Sequence, residues 1–333
     1  MKAAFIETTG TPDVIQYGDL PKPVPTDGEV LVKVEAASLN PVDLSIRSGL
    51  IAMPLPNPFI LGCDLAGTVE AVGPNVKRFR AGDRVWGSNQ GLLGRQGTFA
   101  EYCCTSEEWL YPLPTGVRAE DAAALALVGI TAHLGLFWRT NLKAGETVFV
   151  NGGTGGVGMA VVQMAKAAGA NVITTVGSTE KADIAREFGA DCVVNYKTDD
   201  VAAAIKANTQ GRGVDVWFET TPPTDFERTI SAMAPRGRIV VMAGRQAKPV
   251  FPNGAFYVKS LSIYGFVMFA MTPDEQRKCA EDMNRWMTEG KLKALTGISF
   301  PFSKAAAAHK LQEENTLGKQ GTLFGKIVLT PDQ

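Results

Sequence analysis

The fold of this chain is decided by the stretch Val148-Phe149-Val150-Asn151-Gly152-Gly153-Thr154-Gly155-Gly156-Val157-Gly158. An apolar β-branched run enters a turn with G-x-G-x-x-G spacing, and a segment rich in Ala, Met and Val follows it. Such glycines permit a tight turn, let backbone N–H groups approach a pyrophosphate and bring a helix against a strand. The helix N-terminus adds a partial positive charge. No Lys-Ser/Thr pair follows, so a P-loop is disfavoured, and residues Gly152, Gly153, Thr154, Gly155, Gly156, Val157 and Gly158 are predicted to bind a dinucleotide.

The sequence on both sides of this turn alternates short β-branched runs with helical patterns. Strands are predicted at 147–151, 172–176, 192–195, 214–219, 239–242 and 261–264, with helices at 159–168, 180–188 and 201–207. Strand–helix alternation of this kind predicts parallel βαβ units in a doubly wound Rossmann sheet.

Proline placement separates this region from the rest. Eleven of the 19 prolines lie in the first 114 residues, and none lies between 115 and 221. Because proline breaks helix interiors, the first third is predicted to be a mostly β, partly open barrel. The predicted fold class is therefore α/β, with a Rossmann domain at 123–267 and a β-rich catalytic domain formed by 1–122 and 268–333.

Composition limits the partners and the compartment. The 333 residues carry 33 basic and 34 acidic side chains and are 45% hydrophobic, which indicates a globular protein without affinity for nucleic acid or anionic membranes. The five scattered cysteines favour a reducing compartment. No targeting segment is recognised, and the apolar stretch 122–137 is taken as too short to span a bilayer. The prediction is a cytoplasmic protein with neither membrane nor nucleic-acid partner.

The end of the second predicted strand bears on the choice of dinucleotide. NAD sites usually carry an acidic residue there, to bond the ribose 2′-hydroxyl. This chain has Gly177, with Ser178 and Lys181 just after it, which together suit a 2′-phosphate. Alternatively, Ser178 only caps the next helix and Lys181 is a solvated surface charge. Capping by Ser178 is compatible with phosphate contact. The predicted cofactor is NADPH.

Further blocks span nearly the whole chain: 38–43 (SLNPVD), 61–67 (LGCDLAG), 81–85 (AGDRV), 97–102 (GTFAEY), 129–132 (GITA) and 325–329 (GKIVL). With the glycine turn, they resemble the medium-chain dehydrogenase/reductase superfamily, and most closely its zinc-free NADPH:quinone oxidoreductase branch, which includes the zeta-crystallin-like proteins. The resemblance implies a chaperonin-10-like catalytic domain packed on the Rossmann domain, with the cofactor in the cleft between them.

The resemblance also implies roles for single residues. Asn40 and Thr131 would lie beside the nicotinamide, and Tyr196 would help Ser178 and Lys181 to hold the 2′-phosphate. Two turns would bracket the carboxamide through backbone groups: Ala243-Gly244-Arg245 and Gly265-Phe266-Val267. Two alternatives remain: Tyr196 is an ordinary aromatic residue at a strand end, and Gly244 is needed only by the turn.

The zinc ligands of the superfamily's alcohol dehydrogenases are not matched. The first Cys is Asn40 here, the His is Cys63, and Leu127-Val128 stand at the third position. Catalytic zinc needs about three protein ligands, so no metal is predicted.

The expected chemistry follows from that mismatch of ligands. Without a Lewis acid the acceptor must itself be electrophilic, as a quinone or an α,β-unsaturated carbonyl is. Asn40 is the first candidate for donating to the acceptor oxygen, and Asp43 either caps the next segment or touches substrate; with Thr131 they form the predicted catalytic set. Quinone reduction is the preferred function. There are two alternatives. One is a reductase of an alkenal, an enone or an enoyl thioester, and the other is an NADPH-binding protein with a structural or redox-sensing role.

The oligomeric state is predicted from an apolar run. The last Rossmann strand is expected to continue through Phe266-Val267-Met268-Phe269-Ala270-Met271, which would be costly on an exposed sheet edge. The resemblance implies dimers through that edge, so a homodimer with joined sheets is predicted.

Overall fold

The structure, a computed structural model, describes residues 1–318 and 320–332. The chain divides into two units: Met1–Leu127, Pro273–Thr288 and the segment from Lys293 form the first, and Val128–Thr272 with Glu289–Leu292 form the second. The two predicted boundaries lie five residues before the first two crossings. The segment Glu289–Leu292, which was predicted to belong to the catalytic domain, groups with the second unit instead.

The first unit begins with strands and a single short helix. They are β1 (Lys2–Ile6), β2 (Gln16–Asp19), β3 (Glu29–Leu39), α1 (Pro41–Arg47), β4 (Phe59–Ile60), β5 (Asp64–Val72), β6 (Arg84–Gly87), β7 (Tyr102–Ser106) and β8 (Leu110–Pro112). Two 3₁₀ turns, Pro12–Val14 and Glu107–Trp109, lie between them. Proline-rich loops separate these strands, which is why the chain there does not form longer helices.

A long apolar helix crosses the boundary between the units. It is α2 (Ala119–His133), which continues as a π-helical segment, Leu134–Arg139. Together these 21 residues are long and apolar enough to cross a membrane, by length and composition only, and 78% of the most apolar window is buried inside the protein. The prediction that the stretch 122–137 is too short to span a bilayer was therefore wrong, because the helix that contains it has 21 residues. Its burial is what a core helix shows.

The second unit alternates strands and helices. It contains β9 (Thr147–Asn151), α3 (Gly156–Ala167), β10 (Asn171–Val176), α4 (Thr179–Glu187), β11 (Cys192–Asn195), α5 (Val201–Asn208), β12 (Val214–Glu219), α6 (Phe226–Ala232), β13 (Met233–Val241), α7 (Asn253–Val258) and β14 (Ser262–Gly265). The strands are parallel and lie in the order β11-β10-β9-β12-β13-β14. That order reverses direction between β9 and β12, where ligands bind in doubly wound sheets.

The rings of Phe149 and Trp217 pack 4.0 Å apart in the core of this sheet. The strand at its edge ends sooner than the sequence suggested. β14 stops at Gly265, and Met268–Ala270 forms a 3₁₀ turn in which Met268 is buried. The expected continuation of the strand to Met271 was therefore wrong, because the chain turns and buries Met268 instead of extending the edge.

The chain then returns to the first unit with α8 (Pro273–Thr288), β15 (Thr296–Pro301), a 3₁₀ turn Phe302–Lys304, α9 (Ala305–Thr316) and β16 (Lys326–Thr330). Among the described residues, the larger sheet runs β15-β16-β3-β5-β6-β8 with β7 also on β3, and a smaller one runs β2-β1-β4. The ladder Ile327↔Leu39 sets the last strand beside the end of β3. The predicted α/β class, a Rossmann sheet plus a β-rich unit, is confirmed.

Candidate cofactor and active site

The glycine turn joins the end of β9 to the start of α3. Gly152 has φ +87°, in the left-handed region that favours glycine. A Cβ on Gly153 would lie 2.0 Å from Thr174 Oγ1, and one on Gly158 would lie 2.0 Å from the Gly152 carbonyl oxygen. The nearest such atom to a Cβ on Gly155 is 3.5 Å away. Close packing thus requires glycine at Gly153 and Gly158, whereas the turn stays open beside Gly155.

The start of α3 suits an anion. Gly155 is the N-cap and has no side chain to bond the first-turn N–H groups. The N–H groups of Gly156 and Val157 have no partner within the helix, and they lie at the positive end of its dipole. A pyrophosphate fits that set of donors. Thr154 lies buried in the same turn, so the seven predicted residues come together. Their contact with a dinucleotide stays a prediction.

The ends of β10 and β11 bring together the residues predicted to hold a 2′-phosphate. A Cβ on Gly177 would lie 2.7 Å from the Tyr196 hydroxyl. Ser178 caps α4, because its Oγ accepts a bond from the Lys181 backbone N–H at 3.3 Å. The Tyr196 side chain is 56% exposed, so it borders solvent at this strand end. The capping role of Ser178 is therefore observed, and this residue directly follows Gly177 in the chain.

A second lysine that the motifs did not single out lies at the same place. Burial lowers the pKa of Lys181, and repulsion from Lys197 lowers it further. Glu180 is the acidic residue of the same helical turn; its own backbone N–H and then the Ser178 hydroxyl hold the pKa of its carboxyl below the usual value. Two neighbouring ammonium groups favour an anion between them. The available signal was the position of Lys197, directly after the strand-end Tyr196.

The turn after β13 is strained. Ala243 has φ +63° and Gly244 has φ +67°. A Cβ on Gly244 would lie 2.8 Å from Pro222 Cβ. Gly244 is thus required by its backbone conformation and by this close approach, as a turn glycine is with or without a ligand. Arg245 follows directly, and the contact of this turn with a carboxamide is untested.

The turn after β14 starts at Gly265. The Phe266 ring lies 5.8 Å from the Arg139 guanidinium, and Val267 is about half exposed. Thr131 belongs to α2 and is partly buried. The proposed contacts of these residues with the nicotinamide remain predictions.

The first unit holds a buried polar cluster where β3 ends and α1 begins. The Asn40 amide donates through Nδ2 to Asp64 Oδ2 at 2.8 Å and accepts at Oδ1 from Lys326 Nζ. Asp43 accepts from the Asn40 backbone N–H at 2.7 Å and from the Cys63 thiol at 3.0 Å. Asp43 is thus the third residue of α1 and forms a capping box with the N-cap residue Asn40, whereas the sequence had offered it as the cap of a segment that begins at Leu44. Both ends of the Asn40 amide are engaged inside this unit, so donation to an acceptor oxygen stays a prediction.

This cluster keeps two carboxyls and one ammonium out of water. Burial raises the pKa of Asp43 to about 7, although the bonds from Cys63 and Asn40 favour its ionised form. Burial also raises the pKa of Asp64, against the attraction of Lys326. The pKa of Lys326 is lowered by burial, and the two carboxyls oppose that shift. Lys326 is the counter-charge of the cluster, and Asp43 changes protonation near neutral pH.

The donors that a catalytic zinc requires are not assembled here. The Cys63 thiol faces Asp43, and burial followed by that carboxylate raises its pKa well above the usual value, which disfavours the metal-binding thiolate. Throughout residues 1–318 and 320–332, no three His, Cys, Asp or Glu side chains are grouped so that they could hold a metal ion. The residues present therefore do not fit a catalytic zinc.

Comparison with known proteins agrees with this architecture. Residues 26–115 match the alcohol dehydrogenase GroES-like domain family, and residues 156–288 match the zinc-binding dehydrogenase family. Human quinone oxidoreductase is 33% identical over 330 residues, which cover 99% of this chain and 97% of that protein. The chain belongs to the quinone oxidoreductase branch of the medium-chain dehydrogenase/reductase superfamily.

Solved structures of the same superfamily superpose closely. One described as an NAD-dependent alcohol dehydrogenase has a TM-score of 0.88 at 33% identity and full coverage of both chains. Escherichia coli quinone oxidoreductase, complexed with NADPH, has a TM-score of 0.86 at 28% identity and covers 99% of this chain and 100% of its own. This superfamily member is therefore an oxidoreductase of the quinone oxidoreductase type with a NAD(P)-binding fold, as predicted.

Three further residues of these sites were given no role from the sequence, although Asp64 and Lys326 lie in the quoted blocks 61–67 and 325–329. Glu219 is buried at the end of β12, whereas Asp64 and Lys326 belong to the buried cluster. Each is a charged residue inside or beside an apolar strand, and that is the signal by which the sequence could have revealed them.

Proposed function

We propose that this protein is an NADPH-dependent reductase that transfers hydride to a quinone without a metal, and that it works in the cytoplasm as a homodimer. The proposal rests chiefly on one observation: the end of β10 has glycine in place of an acidic residue and gathers Ser178, Lys181, Tyr196 and Lys197. A 2′-phosphate would accept bonds from those groups, whereas NADH offers them only a hydroxyl.

The buried cluster supports the proposed acceptor chemistry. Bound NADPH would supply the hydride. Because Asn40 and Cys63 do not form a zinc site, an acceptor that stabilises incoming charge in its own carbonyl system is favoured over an unactivated alcohol or ketone. Burial raises the pKa of Asp43 to about 7, and Asp43 is the proposed proton source. Asn40 and Thr131 complete the proposed catalytic set.

One assay separates this function from its alternatives. Steady-state NADPH oxidation is measured with a quinone, an alkenal, an enone and an enoyl thioester, each repeated with NADH. We expect the largest kcat/KM with the quinone and NADPH. A larger value with an alkenal, enone or thioester would favour the alternative reductases, and tight NADPH binding without turnover on any acceptor would favour a structural or redox-sensing role.

The proposed dimer rests on the edge of the sheet. β14 is the last strand of the Rossmann sheet in the described residues, and Tyr257, Val258, Ile263 and Val267 near it have exposed side chains. An unpaired strand with apolar neighbours favours association. We expect light scattering at micromolar concentration to give twice the chain mass of 35.5 kDa, and a species of that single mass alone would contradict the dimer.

A further inference from the structure

Glu219 is a buried carboxylate that the proposed reaction does not use. It is the last residue of β12 and pairs in register with Asn151, the last residue of β9. Its Oε1 accepts from Asn151 Nδ2 and from the Thr221 backbone N–H, both at 2.8 Å, and its Oε2 accepts from Trp217 Nε1 at 3.1 Å. A fully buried carboxylate is costly unless it is bonded in this way.

A series of hydrogen bonds connects Glu219 to the glycine turn, and in each of them the group farther from Glu219 is the donor. Because Asn151 uses its amide hydrogen on Glu219, its Oδ1 is the acceptor, and it takes a bond from Thr175 Oγ1 at 2.7 Å. Thr175 Oγ1 in turn accepts the backbone N–H of Gly152 at 2.9 Å. A carboxylate only accepts, so it sets the orientation of the amide and then of the hydroxyl. The chain of bonds therefore links the ends of β12, β9 and β10 to the turn.

The same threonine holds a second amide of the turn. The Gly153 N–H donates to the Thr175 carbonyl oxygen at 3.1 Å. The N–H groups of Gly152 and Gly153 are thus both used inward, and the first-turn donors of α3 are the ones left for an anion. A small shift of Gly152 would move those donors, because Gly158 packs against the Gly152 carbonyl oxygen.

We propose that Glu219 is a positioning residue of the cofactor site, which acts through Asn151 and Thr175 to fix the turn at Gly152. The inference rests on one part of the proposed function, namely that the glycine turn binds the pyrophosphate of the cofactor. It assigns Glu219 a role equal for NADPH and NADH, since both share that pyrophosphate. Burial raises the pKa of this carboxyl, and the bonds from Thr221, Trp217 and Asn151 oppose the rise, as expected of a group held in a fixed network.

The test measures dissociation constants of NADPH, NADH and ADP-ribose by calorimetry for four variants. Glu219→Gln turns one of the two accepting oxygens into an NH2 donor, which then faces an N–H donor of Asn151 and Thr221 or of Trp217. Asn151→Asp sets two carboxylates against each other. Each variant should weaken all three ligands about tenfold. The double variant restores an amide–carboxylate pair with the direction reversed, because the carboxylate introduced at position 151 still accepts from Thr175. It should recover most of the affinity. Thr175→Val breaks only the last link and should also weaken all three ligands.

Thr209→Val is the matched control. Thr209 Oγ1 also accepts a glycine N–H, that of Gly213 at 3.1 Å, and donates to the Ile205 carbonyl at 2.8 Å, but it lies at the C-terminal end of α5. It should lower thermal stability without changing any dissociation constant. If Glu219→Gln does not fold, the dissociation constants of Thr175→Val still test the inference.

Several outcomes would overturn the inference. Tighter binding by Glu219→Gln would mean that the carboxylate acts only by repelling phosphate. Unchanged constants in Thr175→Val and Glu219→Gln would mean a purely structural network, and a double variant no better than the singles would exclude a positioning role. A loss confined to NADPH would point to the 2′-phosphate site. If wild type does not prefer NADPH, the proposed function fails while this inference can still hold.

Discussion

The two polar regions of this protein, at the strand ends of the second unit and in the buried cluster of the first unit, differ in how exposed their charged groups are. At the ends of β10 and β11 in the second unit, Lys197 and Tyr196 are exposed, and the cationic groups lie near each other. In the first unit, Asp43, Asp64 and Lys326 are buried and compensate one another. Exposed charges at a strand end are available to a ligand, whereas a buried compensated set orients its own members and shifts their pKa values. The first region is suited to recognition and the second to holding groups in place.

The largest expected effect removes the buried cation. Lys326→Met leaves Asp43 and Asp64 without a counter-charge and should lower the free energy of unfolding by about 3–5 kcal/mol. Both carboxyls have a folded-state pKa above the unfolded value, so the stability they contribute is present at low pH and is lost as the pH rises toward about 7. Urea unfolding should therefore show a larger loss at pH 8 than at pH 5.

Lys166→Met is the control for that comparison, because Lys166 and Asp191 form an ion pair at 2.8 Å with side chains 33% and 46% exposed. It should cost less than about 1 kcal/mol. Equal losses in the two variants would show that burial of Lys326 has no special energetic role.

The next effect concerns the exposed region. Wild type should bind NADPH more tightly than NADH by about a hundredfold, since bonds to a charged phosphate contribute about 1.5–3 kcal/mol each. Gly177→Asp should invert this preference by placing a carboxylate near the phosphate. Any side chain at Gly177 must displace the Tyr196 hydroxyl, so Gly177→Ala is the matched control without charge. If both variants behave alike in calorimetric titration, displacement of Tyr196 is the cause.

A smaller effect is expected from one of the two lysines. Lys181→Ala should lower NADPH affinity about tenfold and leave NADH affinity nearly unchanged, because the ammonium is proposed to bind the 2′-phosphate, which NADH lacks. The difference should shrink as salt is raised. Titration of both cofactors at two salt concentrations checks this, and equal affinities of wild type for NADPH and NADH would contradict the NADPH assignment.

Asn40→Ala tests whether the buried cluster reaches the reaction. Turnover with quinone should fall about tenfold, and by more than NADPH affinity falls, since the amide is proposed to act on charge that develops in the acceptor. Steady-state kinetics and calorimetry give the two values. An unchanged kcat would mean that Asn40 only joins Asp64 to Lys326.

Removal of metal ions is expected to have no effect. Exhaustive chelation should leave activity and the unfolding midpoint unchanged, because Asn40 and Cys63 do not form a zinc site. Metal analysis before and after chelation is the measurement. Stoichiometric zinc that is lost together with activity would refute metal independence.

The sequence by itself determined the Rossmann unit, because the evidence for it is local. The glycine spacing from Gly153 to Gly158 and the alternation of strands with helices depend on neighbouring residues, and that alternation predicts parallel βαβ units. Gly177, Ser178 and Lys181 could be named from their place at the end of the second strand, whereas Tyr196 was named only from the family resemblance.

Only the tertiary structure decided the roles of Glu219, Lys197, Asp64 and Lys326. Lys326 lies 286 residues from Asn40 along the chain, and Asn151 is 68 residues from Glu219, so no local pattern links the members of these pairs. The run after Gly265 shows the same limit, because its apolar composition suits an edge strand as well as a turn packed inward. Burial and hydrogen-bond partners depend on which distant segments meet, and that is set when the sheets assemble.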